Sequence, residues 1–168
     1  MNKKLEEAIN TQLNFEIESA FVYLAMKNYL EGQSLDGFVN WFDVQFQEEM
    51  AHAQKFMNYV NERDGRVVLE EIAKPETNWE SPVKAFSAAY KHEQFISASI
   101  NELISIARDE KDFMSDNFLQ WFVAEQVEEE ASAKEVIRMF KLAGSGGGGL
   151  LMIDKELASR VFTPPTTN

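Results

Sequence analysis

Apolar residues recur along this chain at steps of three and four, the spacing that gathers them on one face of an α-helix. Prolines stand only at 75, 82, 164 and 165, so 2–64 and 83–143 lack the strongest helix breaker. Each stretch has room for two helices. Gly32-Gln33-Ser34 interrupts the first, with Ser34 as N-cap, which predicts helices over 2–31 and 35–63, the second closed by Asp64-Gly65. Residues 66–81, with Pro75 inside, are too long for a tight turn and suit a crossover from one end of a bundle to the other. Ser81-Pro82 reads as an N-cap and first helical position, opening a third helix to about 109; a short polar turn over 109–112 leads to a fourth helix over 113–142. Ser145 and the four glycines after it predict a flexible hinge, 150–161 a short fifth helix, and 163–168 a disordered tail.

Four helices of about 28 residues would each be roughly 42 Å long at 1.5 Å per residue, a length typical of large bundles. The predicted class is therefore all-α: a four-helix bundle with one long crossover between its second and third helices and a short fifth C-terminal helix. The bundle is assigned to 1–143, and the glycine-rich hinge, fifth helix and tail to 144–168.

Every apolar row carries acid where leucine would be expected. Glu16 follows Leu5, Ile9 and Gln12; Glu49 and His52 lie between Phe42 and Phe56, after Gln45; Glu93 lies between Phe86 and Ile96; Glu129 lies between Phe122 and Val136, after Gln126. Burying an unpaired carboxylate costs several kcal/mol, and four facing one another add repulsion. The one basic residue on these rows, Lys27, stands about 16 Å along the helix from Glu16 at 1.5 Å per residue. Bound cations are the economical answer. Glu49-x-x-His52 sets a carboxylate and an imidazole side by side, and such a Glu/His set suits Fe(II) and Fe(III) better than calcium, for which imidazole is a poor ligand. Zinc would bind without supporting redox chemistry.

Composition agrees. With 28 acidic and 16 basic residues the net charge is −12, which argues against nucleic acid or anionic lipid as partner and favours cations. There is no cysteine, so thiolate zinc sites, iron–sulfur clusters and disulfides are excluded. No apolar run reaches the roughly 18 residues of a membrane span, and 1–10 lacks the apolar core of a signal peptide. The expectation is a soluble cytoplasmic protein with no membrane or nucleic-acid partner.

Five separated motifs carry a resemblance over essentially the whole chain: Asn14-Phe-Glu-Ile-Glu-Ser, Glu48-Glu-Met-Ala-His-Ala, Tyr90-Lys-His-Glu-Gln, Phe118-Leu-Gln-Trp-Phe-Val-Ala-Glu-Gln and Leu151-Met-Ile-Asp-Lys-Glu-Leu. In order and spacing they resemble bacterial non-haem ferritins, of the ferritin-like superfamily. The resemblance implies an iron-storage ferroxidase that oxidises Fe(II) with dioxygen or hydrogen peroxide and deposits a ferric mineral inside a shell of 24 identical subunits. It implies a first iron on Glu16, Glu49 and His52, a second bridged by Glu49 and held by Glu93 and Glu129 with Gln126 beside it, and Tyr23 as a nearby electron donor. It implies a third, weaker iron on Glu48, Glu125 and Glu128 with Glu129, the fifth helix at four-fold axes, and acidic three-fold channels for which Asp116 is the candidate.

Other residues have plainer readings: Glu130 as part of a solvated acidic face, His92 as a surface residue and Trp121 as packing. Met50 matches a haem ligand of the related bacterioferritins, but those carry a second Glu-x-x-His where this chain has Gln126-x-x-Glu129, so no haem is expected. The alternatives are a rubrerythrin-like di-iron oxidase or peroxidase, which typically carries two Glu-x-x-His motifs, and a metal-free interaction bundle.

Overall fold

The computed structural model describes residues 1–144 and 147–165. It contains five helices, α1 Lys3–Glu31, α2 Asp36–Glu62, α3 Pro82–Asp109, α4 Phe113–Ala143 and α5 Gly147–Leu157, and no strand among the described residues. α1 pairs with α2 and α3 with α4; α1 also packs on α3, and α5 lies against α2 and α4.

Local chemistry sets most helix ends. The Asn2 side chain accepts from the Leu5 N–H at 2.9 Å to open α1, and Asp112 accepts from the Ser115 N–H at 3.0 Å to open α4. Asp64 and Lys111 take left-handed φ angles of 54° and 56°. The next residue's N–H in each case reaches back to close the helix, Gly65 to the Val60 carbonyl and Asp112 to the Ala107 carbonyl, both at 2.9 Å.

The start of α2 departs from expectation. Ser34 is itself left-handed, at φ 56°, and Leu35 takes the N-cap position without a side-chain cap bond. The cap comes from α5 instead: Asp154 Oδ1 accepts from the backbone N–H groups of Gly37 and Phe38 at 2.8 and 3.1 Å. A Cβ on Gly37 would lie 1.6 Å from the Asp154 carbonyl oxygen, so the close approach requires glycine.

α5 also begins earlier than the predicted 150–161. Gly147, Gly148 and Gly149 form its first turn, where the sequence predicts a flexible hinge. Each glycine costs about 1 kcal/mol in a helix interior. A Cβ on Gly149 would stand 2.6 Å from Ala143 Cβ, so its absence lets α5 fold back on the last turn of α4. Docking offsets the cost through buried Ile153 and Leu157, and through Asn40, which donates to the Leu157 and Arg160 carbonyls at 3.1 and 2.9 Å. Ser145, Gly146 and 166–168 lie outside the described residues, and with them part of the expected hinge and tail; 163–165 carry no regular structure.

The crossover is a strap along α1. Asn10 and Asn14 act as substitute backbone: Asn10 donates to the Arg66 carbonyl and accepts from the Val68 N–H, and Asn14 donates to the Val68 carbonyl and accepts from the Glu70 N–H, all at 2.7–3.0 Å. Farther on, Trp79 meets Tyr29 edge to face at 5.3 Å. The strap thus runs from the start of α1 to its end, and α3 runs beside α1 and α4.

Buried apolar residues form two clusters. One gathers Leu5, Leu13, Phe56, Leu103 and Phe122; the other gathers Met26, Phe38, Phe42, Phe86 and Val136. The polar layer between them holds Glu16, Gln45, Glu49, His52, Glu93 and Glu129, all buried.

Candidate metal centre

Each bundle helix brings one glutamate to this layer at mid-length, as the stripe phasing requires. Glu16, Glu49, Glu93 and Glu129 are at most 4% exposed and His52 is 2% exposed. His52 Nδ1 lies 3.7 Å from Glu16 Oε2 and 3.6 Å from Glu49 Oε2, while its Nε2 lies 3.9 Å from Glu125 Oε1. Two groups are spaced to hold a metal, Glu16 with Glu49 and His52, and His52 with Glu125 and Glu129. A neutral imidazole has one free lone pair. If Nδ1 serves the deeper group, the Nε2–H faces Glu125, the arrangement in which an outer carboxylate orients a ligating histidine.

The carboxylates feel the lack of positive charge. Burial pushes Glu49 well above the usual carboxylate range, against the opposing pull of His52. Burial likewise raises Glu93, opposed by hydrogen bonds from Tyr23 and Gln126, and lifts Glu129 to about 7, helped by the charge of Glu93. Burial pulls His52 down, but the adjoining carboxylates of Glu16 and Glu49 outweigh it and hold the imidazole well above its ordinary value. Among the described residues no lysine or arginine pairs with these four glutamates; Lys27, the basic residue nearest in sequence pattern, is taken by Asp43 at 2.8 Å. Glu16 Oε2 is buried with no hydrogen-bond partner there, an acceptor left for a cation.

The family described as "Ferritin-like domain" matches residues 6–143. The chain belongs to the ferritin family. The chain is 39% identical to the bacterial non-heme ferritin of Campylobacter jejuni over 157 residues, 94% of each protein, and 36% identical to that of Staphylococcus aureus over 96% of this chain and 98% of the other. Among solved structures it is similar to a humanized archaeal ferritin, with TM-score 0.96 and 49% identity over 98% of this chain and 99% of the other. It is also similar to the open pore ferritin of Archaeoglobus fulgidus, with TM-score 0.94 and 47% identity over 96% and 99%. Iron storage is the family's trade, and a buried Glu/His cluster able to hold a metal is what this ferritin brings to it.

Of the remaining expected residues, Tyr23, Gln126, Glu48 and Glu125 lie next to the cluster, whereas Glu128, Asp116 and Met50 do not join it. Tyr23 is fully buried and its hydroxyl donates to Glu93; burial, then the Glu93 charge, pushes its proton loss well above the ordinary tyrosine range. Gln126 Nε2 donates to Glu93 Oε2 at 3.0 Å. Trp121 meets His52 edge to face at 5.4 Å, under the Lys55 ammonium 4.7 Å from its ring centre. Glu48 and Glu125 sit on the flank of the cluster, whereas Glu128 is exposed beside Glu125. Asp116 pairs with Arg108 at 3.1 Å. Met50 is 39% exposed and points away from the buried cluster's row.

Two plain readings need correction. His92 is not a surface residue: it is mostly buried, its Nε2 lies 2.7 Å from Ser19 Oγ, and it meets the Tyr23 ring edge to face at 5.9 Å, with burial pulling its pKa below the ordinary value. Phe95 also meets the His92 ring at 6.2 Å, and Phe15 packs edge to face on Phe95 at 5.2 Å, neighbours that no position on the helical row announces. Glu130 is half-buried and accepts from Ser97 Oγ at 2.6 Å, on the wall of a cavity of about 380 Å³ between α3 and α4.

Sequence reasoning passed over the donors that hold the carboxylates. Gln12 donates to Glu16 at 2.6 Å and Gln45 to Glu129 at 2.8 Å, matching the bond from Gln126 to Glu93. Ser99 in turn donates to Gln12 Oε1 at 2.5 Å. The signal was present as glutamines recurring on the same rows as the acids; Gln12 serves the acid one turn on in its own helix, whereas the acids that Gln45 and Gln126 serve depend on how α2, α3 and α4 pack.

Proposed function

We propose that this ferritin binds two Fe(II) per chain at Glu16, Glu49, His52, Glu93 and Glu129, with Gln126 beside the second, and oxidises them for storage. The observation that carries this reading is four buried carboxylates from four helices with no fixed cation among them. Iron is the substrate, passing on to a ferric mineral inside a shell of 24 copies, as expected of ferritins.

The residues have separable tasks. Glu49, Glu93 and Glu129, whose hold on a proton is strengthened by burial, release protons more readily as cations enter. The resulting anionic donor set favours the ferric over the ferrous charge and so drives oxidation. Two Fe(II) supply two electrons, and dioxygen or hydrogen peroxide accepts them. His52 contributes one nitrogen, oriented by Glu125 on the other, and the amides of Gln12, Gln45 and Gln126 keep Glu16, Glu129 and Glu93 from swinging away. Tyr23, hydrogen-bonded to Glu93, stands where it can pass an electron and its proton to the oxidant. Glu48, Glu125, Glu128 and Glu129 give a third, weaker cation position on the flank. With a single Glu-x-x-His, the second position has no histidine, which suits cations that must move on.

Metal-stripped protein is mixed anaerobically with two Fe(II) per chain, oxygen is admitted, and ferric absorbance is followed. A fast phase saturating near two irons per chain is expected. Oxidation no faster than in buffer alone would remove the ferroxidase assignment.

A further inference from the structure

Arg160 lies just beyond α5, yet its guanidinium reaches the flank of the cluster. Its Nη2 stands 2.6 Å from Glu48 Oε2, its plane lies over Trp41 with 4.7 Å to the ring centre, and its Nη1 donates to the Trp41 carbonyl at 3.4 Å. Asn40 fixes the backbone by donating to the Arg160 carbonyl at 2.9 Å. The two charged side chains are 22% and 18% exposed, so this is no water-screened surface pair. Glu48 adjoins Glu49 in sequence, and Glu129, His52 and Glu125 all act on its charge.

A guanidinium cannot lose its proton, and its planar fork, seated on an aromatic face, is held ready for a carboxylate. Glu48 therefore meets an arriving cation with its charge already matched. We propose that Arg160 is a tethered counter-cation that competes with iron for Glu48 and sets how tightly the Glu48, Glu125 and Glu129 flank retains a third cation. This rests on the reading of that flank as a cation position. Arg160 makes no direct contact with the inner ligands and its charge ranks last among the influences on Glu129, so the two inner positions are little affected, while the flank holds its cation loosely enough to hand it on.

The test is calorimetric titration of the metal-stripped, assembled protein with Co(II), a cation that oxygen does not readily oxidise there. Arg160→Gln is expected to tighten the third cation about tenfold, the scale of effects from groups next to metal ligands, with the first two changed far less. Arg160→Lys keeps the charge but loses the fork and the stacking. Competition predicts that it stays near the unsubstituted protein, whereas a merely structural role for Arg160 predicts the same behaviour as Arg160→Gln. Third-cation affinity unchanged in Arg160→Gln, or equally raised in both variants, overturns the proposal. Glu48→Gln separates the two layers of the argument: if it abolishes the third cation while Arg160→Gln changes nothing, the flank stands and the competitor falls. If no variant binds a third cation, the flank itself falls.

Discussion

Two charged sites of this bundle make opposite use of carboxylates. At its base, where α2 ends and α4 begins, Arg63 grips Asp112 through both nitrogens, at 3.1 and 2.9 Å, and also donates to Tyr59 Oη at 2.5 Å; Tyr59 Oη lies 2.8 Å from Ser115 Oγ. The Arg63 hydrogen bond holds Asp112 below the usual carboxylate range. At the waist, four glutamates share one histidine, and burial pushes three of them up. A carboxylate with its own guanidinium is a structural part; carboxylates without one keep a place for something exchangeable. Arg160 on Glu48 stands between the two cases.

The comparison predicts mutations of opposite sign. The largest effect is expected from Glu49→Gln: loss of fast Fe(II) oxidation by at least about a hundredfold in stopped-flow absorbance, with a metal-free protein that melts no lower than the original. A lower melting temperature in that variant would mean that the empty waist contributes structure as the base does. Loading is next. A non-oxidisable divalent cation at a hundred times its dissociation constant should stabilise the protein by about 2.7 kcal/mol in denaturant titration, and the gain should vanish in Glu49→Gln.

At the base, Asp112→Ala removes both the helix cap and the partner of Arg63, whose side chain is 16% exposed, and should cost about 1–3 kcal/mol with or without metal. Dependence of that cost on metal would merge the two regions. Gln45→Leu should weaken binding at the Glu129 side by about tenfold, read by calorimetry, while leaving the melting temperature nearly fixed.

The smallest effects are slopes with pH, at most about 1.4 kcal/mol per pH unit for each proton. Glu48 and Glu129 are raised from 4.5 to about 7, Glu48 by burial against the pull of Arg160. Folding retains their protons longer than the open chain does, so the metal-free protein should lose stability as pH rises from about 4.5 to about 7. Asp112 is lowered from 3.8, so its contribution is complete above that value and is lost as pH falls through the lowered one. Denaturant midpoints of Asp112→Asn and Glu129→Gln across pH 3–8 check both signs.

Much of this was legible from spacing. Proline placement and stripe phasing located four helices to within a few residues, because an amphipathic helix must repeat its apolar face to be buried at all. The same repeat made Glu16, Glu49, His52, Glu93 and Glu129 conspicuous, since acid on a buried face needs a reason. Helix ends set by partners distant in sequence were not legible: α2 is capped by Asp154 and not by Ser34, and Gly147–Gly149 form a helical turn that glycine's propensity argues against. Asn10 and Asn14 gave no hint that they would stand in for a neighbouring strand of backbone.

The sequence by itself determined which residues share a face, and hence that one acid per helix would lie at mid-length in the bundle. That follows from a fixed 3.6-residue period and needs no knowledge of the neighbours. Only the tertiary structure decided which nitrogen of His52 faces which carboxylates, which glutamine holds which acid, that His92 lies under Tyr23, and that Arg160 reaches Glu48 from 112 positions away. Hydrogen bonds and ion pairs depend on angstroms between helices, and those distances are set by how the side chains of different helices interlock.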